Sequence, residues 1–308
     1  MADNPAPLIF SKGWLYLFLA VILISVIRII QKIGVIQREG NLKARIQIIK
    51  PIDAVRRAAK RRAEGAVQER EHSGLRTRAE ALEKELESRP VDEFPAEHCR
   101  LLMDLGETHR ALSLYDDRKE ELLRAARWFF LGSQARPPEG FQEEHGHFLA
   151  RLGDTYTELS GIFERTECLG RAAASYGEAL TAAGPGLDRE RRAEIEAKLG
   201  GVLLDLADDE DREMNLVRAI HVLNDAVKGY SLDRDSTPYA LAMYDLGRAF
   251  LKYAAVDDPK RNLLRAGKAV KEAMRVLTRE NHPEHYEKLR ILIEEVKAAY
   301  TRVTGEGQ

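Results

Sequence analysis

The recurrence of a Leu-Gly pair every 47 residues constrains this chain more than any other feature. The pairs are Leu105-Gly106, Leu152-Gly153, Leu199-Gly200 and Leu246-Gly247. We call a set of positions 47 residues apart a column. Four further columns carry an Arg-Ala pair, Leu, a small residue and a bulky apolar residue. They are Arg124-Ala125, Arg171-Ala172, Arg218-Ala219 and Arg265-Ala266; Leu122, Leu169, Leu216 and Leu263; Gly132, Ala179, Ala226 and Ala273; and Phe129, Tyr176, Leu223 and Val270. A fixed period of about 20–50 residues is typical of a solenoid or array.

Each copy contains two stretches with helical spacing of apolar residues, for example 145–163 and 166–184. The first carries the Leu-Gly pair and the second carries the Arg-Ala pair. Gly inside a helix costs about 1 kcal/mol relative to Ala, so its recurrence indicates that a neighbouring helix approaches closely there. The composition agrees, because 44% apolar and only 7% aromatic residues favour a folded helical chain over a disordered one or a β-sandwich.

These columns resemble the tetratricopeptide repeat, in which one helix carries a bulky residue, Leu-Gly and an aromatic, and the other carries Ala, an aromatic and Ala. The matching positions of the second copy are Leu149, Leu152, Gly153 and Tyr156, then Ala172, Tyr176 and Ala179. The resemblance covers residues 95–303 and implies an all-α, right-handed solenoid. The period here is longer than the family's usual period of roughly 34 residues, and the extra residues lie between the helices and between the repeats.

By this resemblance, the first helices of the repeats build a concave groove that binds a protein or peptide partner. The residues expected in it are Arg151, Asp154, Lys198, Tyr244 and Arg248. A solvated face with no partner is the alternative. The family's clamp for acidic chaperone tails is not expected, because other residues occupy one of its rows. Those residues are Met103, Ala150, Ala197 and Tyr244.

An uncharged apolar run at 13–27 precedes the repeats and predicts a transmembrane anchor at 13–30. A span needs about 20 residues, so Lys12 and Arg28 would extend towards the headgroups. A cleaved signal peptide is the first alternative, but the run lacks a basic segment before it and a small-x-small site after it. A buried core helix is the second alternative, disfavoured by the basic stretch that follows.

The formal net charge of −2 conceals a basic segment at 28–62, where eleven Lys and Arg stand against Glu39 and Asp53. Positive charge stays on the cytoplasmic side. We therefore expect a single-pass membrane protein with its N-terminus outside and its C-terminal domain in the cytoplasm. Contacts with anionic lipid headgroups are expected at Arg28, Lys32, Arg38, Lys43 and Arg45.

The basic segment has two other interpretations. Nucleic-acid binding is not expected, because residues 37–90 contain no aromatic residue for stacking on bases. A plain solvated helix is the remaining alternative. A short heptad seam follows the segment, too short to predict a coiled coil. Its residues are Leu75, Ala79, Leu82 and Leu86.

The sequence divides into a tail at 1–12, the anchor at 13–30, a basic linker and helix at 31–92, a solenoid of about four and a half repeats at 93–303, and a tail at 304–308. The lone helix expected at 284–303 has a polar face that suits a solvating cap. That face comprises Glu287, Lys288, Arg290, Glu295 and Lys297.

No catalytic motif is present, so we expect no enzyme, no catalytic residue and no cofactor. The pairs His145/His147 and His282/His285 lack helical i, i+4 spacing and a third ligand, so no metal site is expected. The predicted function is a membrane-anchored adaptor that recruits a protein partner to the cytoplasmic face. The alternative is a self-associating scaffold or coat that shapes a membrane, so a homo-oligomer is possible.

Overall fold

The computed structural model describes residues 24–28, 65, 67–135, 142–184, 187–230 and 236–305, and every structural statement below concerns these residues. The chain forms two compact units, Met1–Glu71 and His72–Gln308. In the first unit the described residues, 24–28, 65 and 67–71, are helical and exposed. No helix within the described residues combines the length and the apolar character that crossing a membrane requires. The predicted anchor at 13–30 lies outside them except for 24–28.

The second unit is all-α, as the sequence predicts, and contains no strand within its described residues. The first helix, α1, spans 72–87. The helices that follow are α2 (Pro95–Leu112), α3 (Arg118–Gln134), α4 (Gln142–Ser160), α5 (Arg165–Ala182), α6 (Arg189–Asp209), α7 (Arg212–Gly229), α8 (Thr237–Tyr253), α9 (Pro259–Val276) and α10 (Pro283–Thr304). From α2 onward every helix packs against the next one along the chain, which confirms a stack of helical hairpins.

The 47-residue period of the sequence governs where the helices begin. The second helix of each repeat starts at Arg118, Arg165, Arg212 and Pro259, always 47 residues apart. We call α2, α4, α6 and α8 the first helices, and α3, α5, α7 and α9 the second helices. The first helices α6 and α8 also contact each other, and α8 contacts α10, the last helix of the stack.

The recurring glycines lie where a side chain of the second helix fills the space that a Cβ would need. A Cβ on any of these glycines would come within 3 Å of that side chain. The pairs are Gly106 with Phe129, Gly153 with Tyr176, Gly200 with Leu223, and Gly247 with Val270. All four bulky partners are buried. The predicted close approach is therefore confirmed, and each Leu-Gly column pairs with the bulky column of the same repeat.

A second close contact joins successive repeats. Gly132 near the end of α3 faces the ring of Phe148 on α4, which occupies the place of a Cβ. The other repeats have Ala179, Ala226 and Ala273 at this position, and all three are fully buried. The small column therefore serves the junction between repeats.

Part of the extra length of this repeat, relative to the usual tetratricopeptide period, lies in the turn between its two helices. Glu164, Asp211 and Asp258 adopt a left-handed backbone there, with φ of 35°, 43° and 30°. In two of these turns a buried Asn adds a hydrogen bond, because its side-chain amide nitrogen donates to a backbone carbonyl five residues earlier. Asn215 reaches the Glu210 oxygen at 3.0 Å and Asn262 the Asp257 oxygen at 2.7 Å.

Both ends of the stack carry charged outer faces. On α1 the seam residues Leu75, Ala79, Leu82 and Leu86 are buried or half-buried, and the residues between them are exposed. On α10 the polar face expected of a cap is exposed throughout. At the Gly column α10 has Glu294, which pairs with Lys297 at 2.8 Å instead of facing another helix.

The Gly column yields a stability prediction. We expect Gly153→Ala to lower the free energy of unfolding by about 1–2 kcal/mol, because overpacking of about 1–3 kcal/mol exceeds the gain in helix propensity of up to about 1 kcal/mol. The Tyr176 ring cannot move away from the added methyl group without losing the hydrogen bond that its hydroxyl donates to Asp154 at 2.7 Å. Chemical denaturation of the full-length chain measures the change.

Gly170→Ala is the matched control, because nothing lies within 4 Å of a Cβ at that helical position. This variant should be stabilised by up to about 1 kcal/mol. Equal changes in the two variants would contradict the proposed role of the Gly column.

Candidate functional site: a cleft on the first helices

Ion pairs join the first helices of neighbouring repeats. Four of them are Glu107–Arg151 at 2.8 Å, Asp154–Lys198 at 3.1 Å, Asp205–Arg248 at 3.4 Å and Asp208–Lys252 at 2.6 Å. In these four the partners are 43 or 44 residues apart, which is about one helical turn less than the repeat. We call these four pairs the ion-pair ladder. A further pair, Arg110–Glu158, also joins α2 to α4, with a spacing of 48 residues.

The second helices show a different pattern of charges. Many of their ion pairs lie within one helix, as in Arg124–Glu120, Arg171–Glu167 and Arg275–Glu272, and Arg165 of α5 pairs with Asp209 of the first helix α6. No ion pair among the described residues joins two second helices. The ladder therefore belongs to one face of the stack, the face that the first helices form.

A cleft of about 580 Å³ opens on this face between α4 and α6. Its walls carry both signs of charge with a few apolar residues between them. The lining residues are His147, Ala150, Arg151 and Asp154 of α4, Glu190, Arg191, Glu194, Ile195 and Lys198 of α6, and Tyr230 and Pro238 beyond them.

Asp154 connects the two walls of the cleft. Its carboxylate accepts a hydrogen bond from the Tyr176 hydroxyl at 2.7 Å and lies 3.1 Å from Lys198 Nζ and 3.3 Å from Arg151 Nη1. Burial and the adjacent carboxylate raise the pKa of Tyr176 far above its usual range, so the phenol remains a donor. With three cationic or donor partners, Asp154 organises the cleft and has little capacity left for a ligand.

His147 is a neutral imidazole at physiological pH. Burial, together with the neighbouring Arg191 and Arg151 guanidiniums, lowers its pKa to about 4. It therefore offers a hydrogen-bond donor and an acceptor to the cleft without adding charge.

Arg191 is the guanidinium that the cleft leaves available. Its side chain is exposed and makes no ion pair or hydrogen bond within the described part of the chain, although its backbone N–H donates to Asp188 at the start of α6. Arg151 and Lys198, by contrast, are both engaged with Asp154. A ligand carboxylate would thus find Arg191 free to pair.

The structure brings three of the five predicted groove residues together. Arg151, Asp154 and Lys198 meet in the cleft. Arg248 and Tyr244 do not line it. They lie on α8, where the Arg248 guanidinium is 5.8 Å from the centre of the Tyr244 ring and pairs with Asp245 at 2.8 Å.

Sequence reasoning missed His147, Arg191 and Tyr230 as cleft residues. For His147 a signal existed, because positions 147, 151 and 154 share one helix face at i, i+4 and i+7 spacing. Tyr230 follows the end of α7 and reaches the cleft only through the tertiary fold.

Other predicted positions are placed as follows. Arg28 is exposed on the described helix at 24–28, whereas Lys32, Arg38, Lys43 and Arg45 lie outside the described residues. Cys99 and Cys168 are buried free thiols, and burial raises the pKa of both. Within the described part of the chain, no group of three or more His, Cys, Asp or Glu is arranged to hold a metal ion.

Comparisons with known proteins give little beyond this geometry. No protein-family model and no curated protein matches the chain. Among solved structures, one reported as "Computational Design of Self-Assembling Cyclic Protein Homooligomers" is 14% identical, with 77% of this chain and 96% of that chain covered and a TM-score of 0.20. At that TM-score the likeness carries no argument about fold or function.

The lowered pKa of His147 predicts a pH dependence of stability. The unfolded chain binds the proton near pH 6.5 and the folded chain only near 4, so the free energy of unfolding falls as the pH drops from 6.5 towards 4. Above this window the group contributes nothing. His147→Gln should remove that part of the decline, measured as urea unfolding curves of both proteins at several pH values. Parallel curves for the two proteins across the window would refute the assignment.

Proposed function

We propose that the protein is a membrane-anchored adaptor of the tetratricopeptide type, whose first-helix face binds a protein partner at the cytoplasmic side of a membrane. The observation that carries the proposal is the cleft between α4 and α6, where the Arg191 side chain makes no ion pair with any described residue. The Gly contacts inside each helix pair support the tetratricopeptide assignment, because that repeat places Gly where its second helix approaches most closely.

The ion-pair ladder supports a preformed binding surface. Asp154 is only 12% exposed and holds both cleft walls through Arg151 and Lys198. A surface fixed in this way loses little conformational entropy on binding. The partner we propose is a polar segment of another protein with a carboxylate that pairs with Arg191, because the remaining cations of the cleft already have partners.

The anchor is supported by the described residues 24–28. Ile24, Val26 and Ile27 are 53%, 43% and 46% exposed. Soluble proteins rarely expose large apolar side chains side by side, whereas lipid accommodates them. We therefore propose that 13–30 spans the membrane, that Arg28, Lys32, Arg38, Lys43 and Arg45 contact headgroups, and that 72–308 is cytoplasmic.

A self-associating scaffold is the second candidate. Head-to-tail stacking of solenoids would require apolar ends, and the exposed side of α10 instead carries intrahelical pairs, Glu287–Arg290 and Glu294–Lys297, both at 2.8 Å. Removing these charged side chains from water in an end-to-end contact would add little free energy of association. The charged end therefore favours the adaptor over a filament built end to end.

Photo-cross-linking tests where a partner binds. The full-length chain would carry benzoylphenylalanine in place of Tyr230, a half-buried aromatic of the cleft. The control position is Arg218, which is exposed on α7. We expect an adduct with a different protein from position 230 and none from position 218. Adducts of the chain with itself alone would reject the adaptor in favour of the scaffold.

Arg191→Glu adds a specificity test to the same experiment. We expect it to reduce the yield of the heterologous adduct at least tenfold, because a partner carboxylate would meet a like charge. The thermal midpoint should not change, since this exposed side chain makes no ion pair or hydrogen bond with any described residue. Arg218→Glu is the matched control. An undiminished adduct in Arg191→Glu would contradict the proposed contact.

The orientation of the anchor has its own test. A reporter fused after Gln308 that is active only in the cytoplasm should be active, because the basic segment at 28–62 keeps the chain beyond it on that side. Replacing five of its basic residues by Gln should weaken this bias. Activity of a reporter that functions only outside the cytoplasm would refute the orientation.

A further inference from the structure

The exposed side of α9 carries an unbalanced positive charge. This helix contains six Lys and Arg against one acidic residue, Glu272, which is the largest excess of charge among α1–α10. Positions three or four residues apart share one side of a helix, and an exposed line of such positions runs along α9 for about 22 Å. We call this line the α9 stripe. Its residues are Lys260, Leu264, Lys268, Lys271 and Arg275.

The fold does not require this charge, because the other second helices form the same hairpin without it. The α9 helix packs against α8 and α10 through its opposite side, where Leu263, Ala266 and Val270 are buried. On α5 the equivalent line of positions is uncharged, so a second helix packs without basic side chains there. The equivalent positions are Glu213, Val217, His221, Asn224 and Lys228 on α7, Thr166, Gly170, Ala174, Gly177 and Thr181 on α5, and Lys119, Leu123, Arg127, Phe130 and Gln134 on α3.

Most of the charge on the stripe is not neutralised by the described part of the chain. The side chains of Lys260, Lys268 and Lys271 make no ion pair or hydrogen bond with any described residue. Arg275 pairs with Glu272 at 2.9 Å. Like charges one helical turn apart destabilise a helix, and Lys268, Lys271 and Arg275 follow one another at this spacing. An unfavourable arrangement that the packing does not need indicates an anionic ligand.

Leu264 decides between the classes of anionic ligand. It is 49% exposed in the middle of the stripe, with Lys260 and Lys268 one turn away on either side. On a lipid bilayer such a surface inserts its apolar side chain among the headgroups and extends its Lys side chains to them. An acidic protein segment requires the charges alone. Single-stranded nucleic acid is bound by stacking bases on aromatic side chains, and α9 contains none. A lipid surface therefore accounts for both features of the stripe.

We propose that the α9 stripe binds the surface of a membrane that contains an anionic lipid such as phosphatidylserine. The phosphate and carboxylate groups of this lipid neutralise Lys260, Lys268 and Lys271, and each basic side chain near such a surface adds to the attraction. Leu264 enters the headgroup layer between them. The inference rests on the proposed function, because the anchor at 13–30 is what brings this chain to a membrane.

The lipid contact leaves the cleft on the first helices accessible. Among the described residues that line the cleft, none belongs to α9. A membrane on the stripe and a protein partner beside Arg191 can therefore be bound together. A second attachment to the membrane also limits rotation of the stack about the anchor, so the stripe presents the cleft to partners in a fixed orientation.

Photo-cross-linking of the full-length chain to vesicles tests the proposal. The chain would carry benzoylphenylalanine in place of Leu264 and be mixed with vesicles of phosphatidylcholine alone or of phosphatidylcholine with phosphatidylserine. We expect a lipid adduct with the phosphatidylserine vesicles that is at least tenfold stronger than with phosphatidylcholine alone, and that weakens as salt screens the charges. The control position is Gly170 on α5, where nothing lies within 4 Å of a Cβ. It should give no increase with phosphatidylserine.

Variants that remove charge identify the residues responsible. Lys268→Gln combined with Lys271→Gln should lower the adduct from position 264 at least tenfold, because two basic side chains near the surface are lost. Arg212→Gln combined with Arg218→Gln is the matched control, since it removes the same charge from exposed side chains of α7, and it should leave the adduct unchanged. Circular dichroism should show both variants folded, because all four changes are on exposed side chains.

Three results would overturn the proposal. They are an undiminished adduct in the α9 variant, equal adducts with the two kinds of vesicle, and equal adducts from positions 264 and 170. In native membranes, an adduct of position 264 with an acidic protein and none with lipid would reject the lipid surface in favour of a protein partner.

Extraction with alkaline carbonate separates this proposal from the proposed function. If the anchor is wrong, carbonate removes the chain from the vesicles although position 264 forms its lipid adduct. If the stripe does not bind lipid, the chain stays embedded through its anchor and position 264 gives no adduct.

Discussion

The contact between a glycine of one helix and a bulky side chain of the next is the interaction on which the rest of the structure depends. It brings the two helices of each repeat close enough for Leu122, Leu169, Leu216 and Leu263 to be buried. It recurs at Gly106, Gly153, Gly200 and Gly247 with four different partners. Because the spacing is fixed at 47 residues, the same packing places every first helix on one face.

The second level of organisation is electrostatic and one-sided. The ion-pair ladder joins successive first helices, whereas no ion pair among the described residues joins two second helices. Exposed pairs contribute only about 0–1 kcal/mol each, so the ladder orients the repeats more than it stabilises them. Its other effect is chemical, since it engages Arg151 and Lys198, whereas Arg191 pairs with none of the described residues.

The sequence predicted what depends on local repetition, namely the helix pairs and the role of the Gly column. It did not predict which charges meet, because Asp154 and Lys198 lie one turn short of a full repeat apart and only the packing decides that offset. For the same reason Arg248 and Tyr244 were expected in one groove with Arg151, but they lie on α8 and do not line the cleft between α4 and α6. The buried contact between His109 on α2 and Glu121 on α3, at 2.7 Å, was not predicted, because no motif in the sequence links these two residues. The membrane anchor, the tetratricopeptide assignment and the partner stay predictions.

Hydrogen exchange of the full-length chain with and without its captured partner would test the central claim most directly. The claim is that the first-helix face at α4 and α6 is the binding surface. We predict slower exchange of backbone amides in α4, in α6 and at the start of α8, with α5, α7 and α9 unchanged. Slower exchange confined to α5, α7 and α9, or to the end helices α1 and α10, would contradict the account.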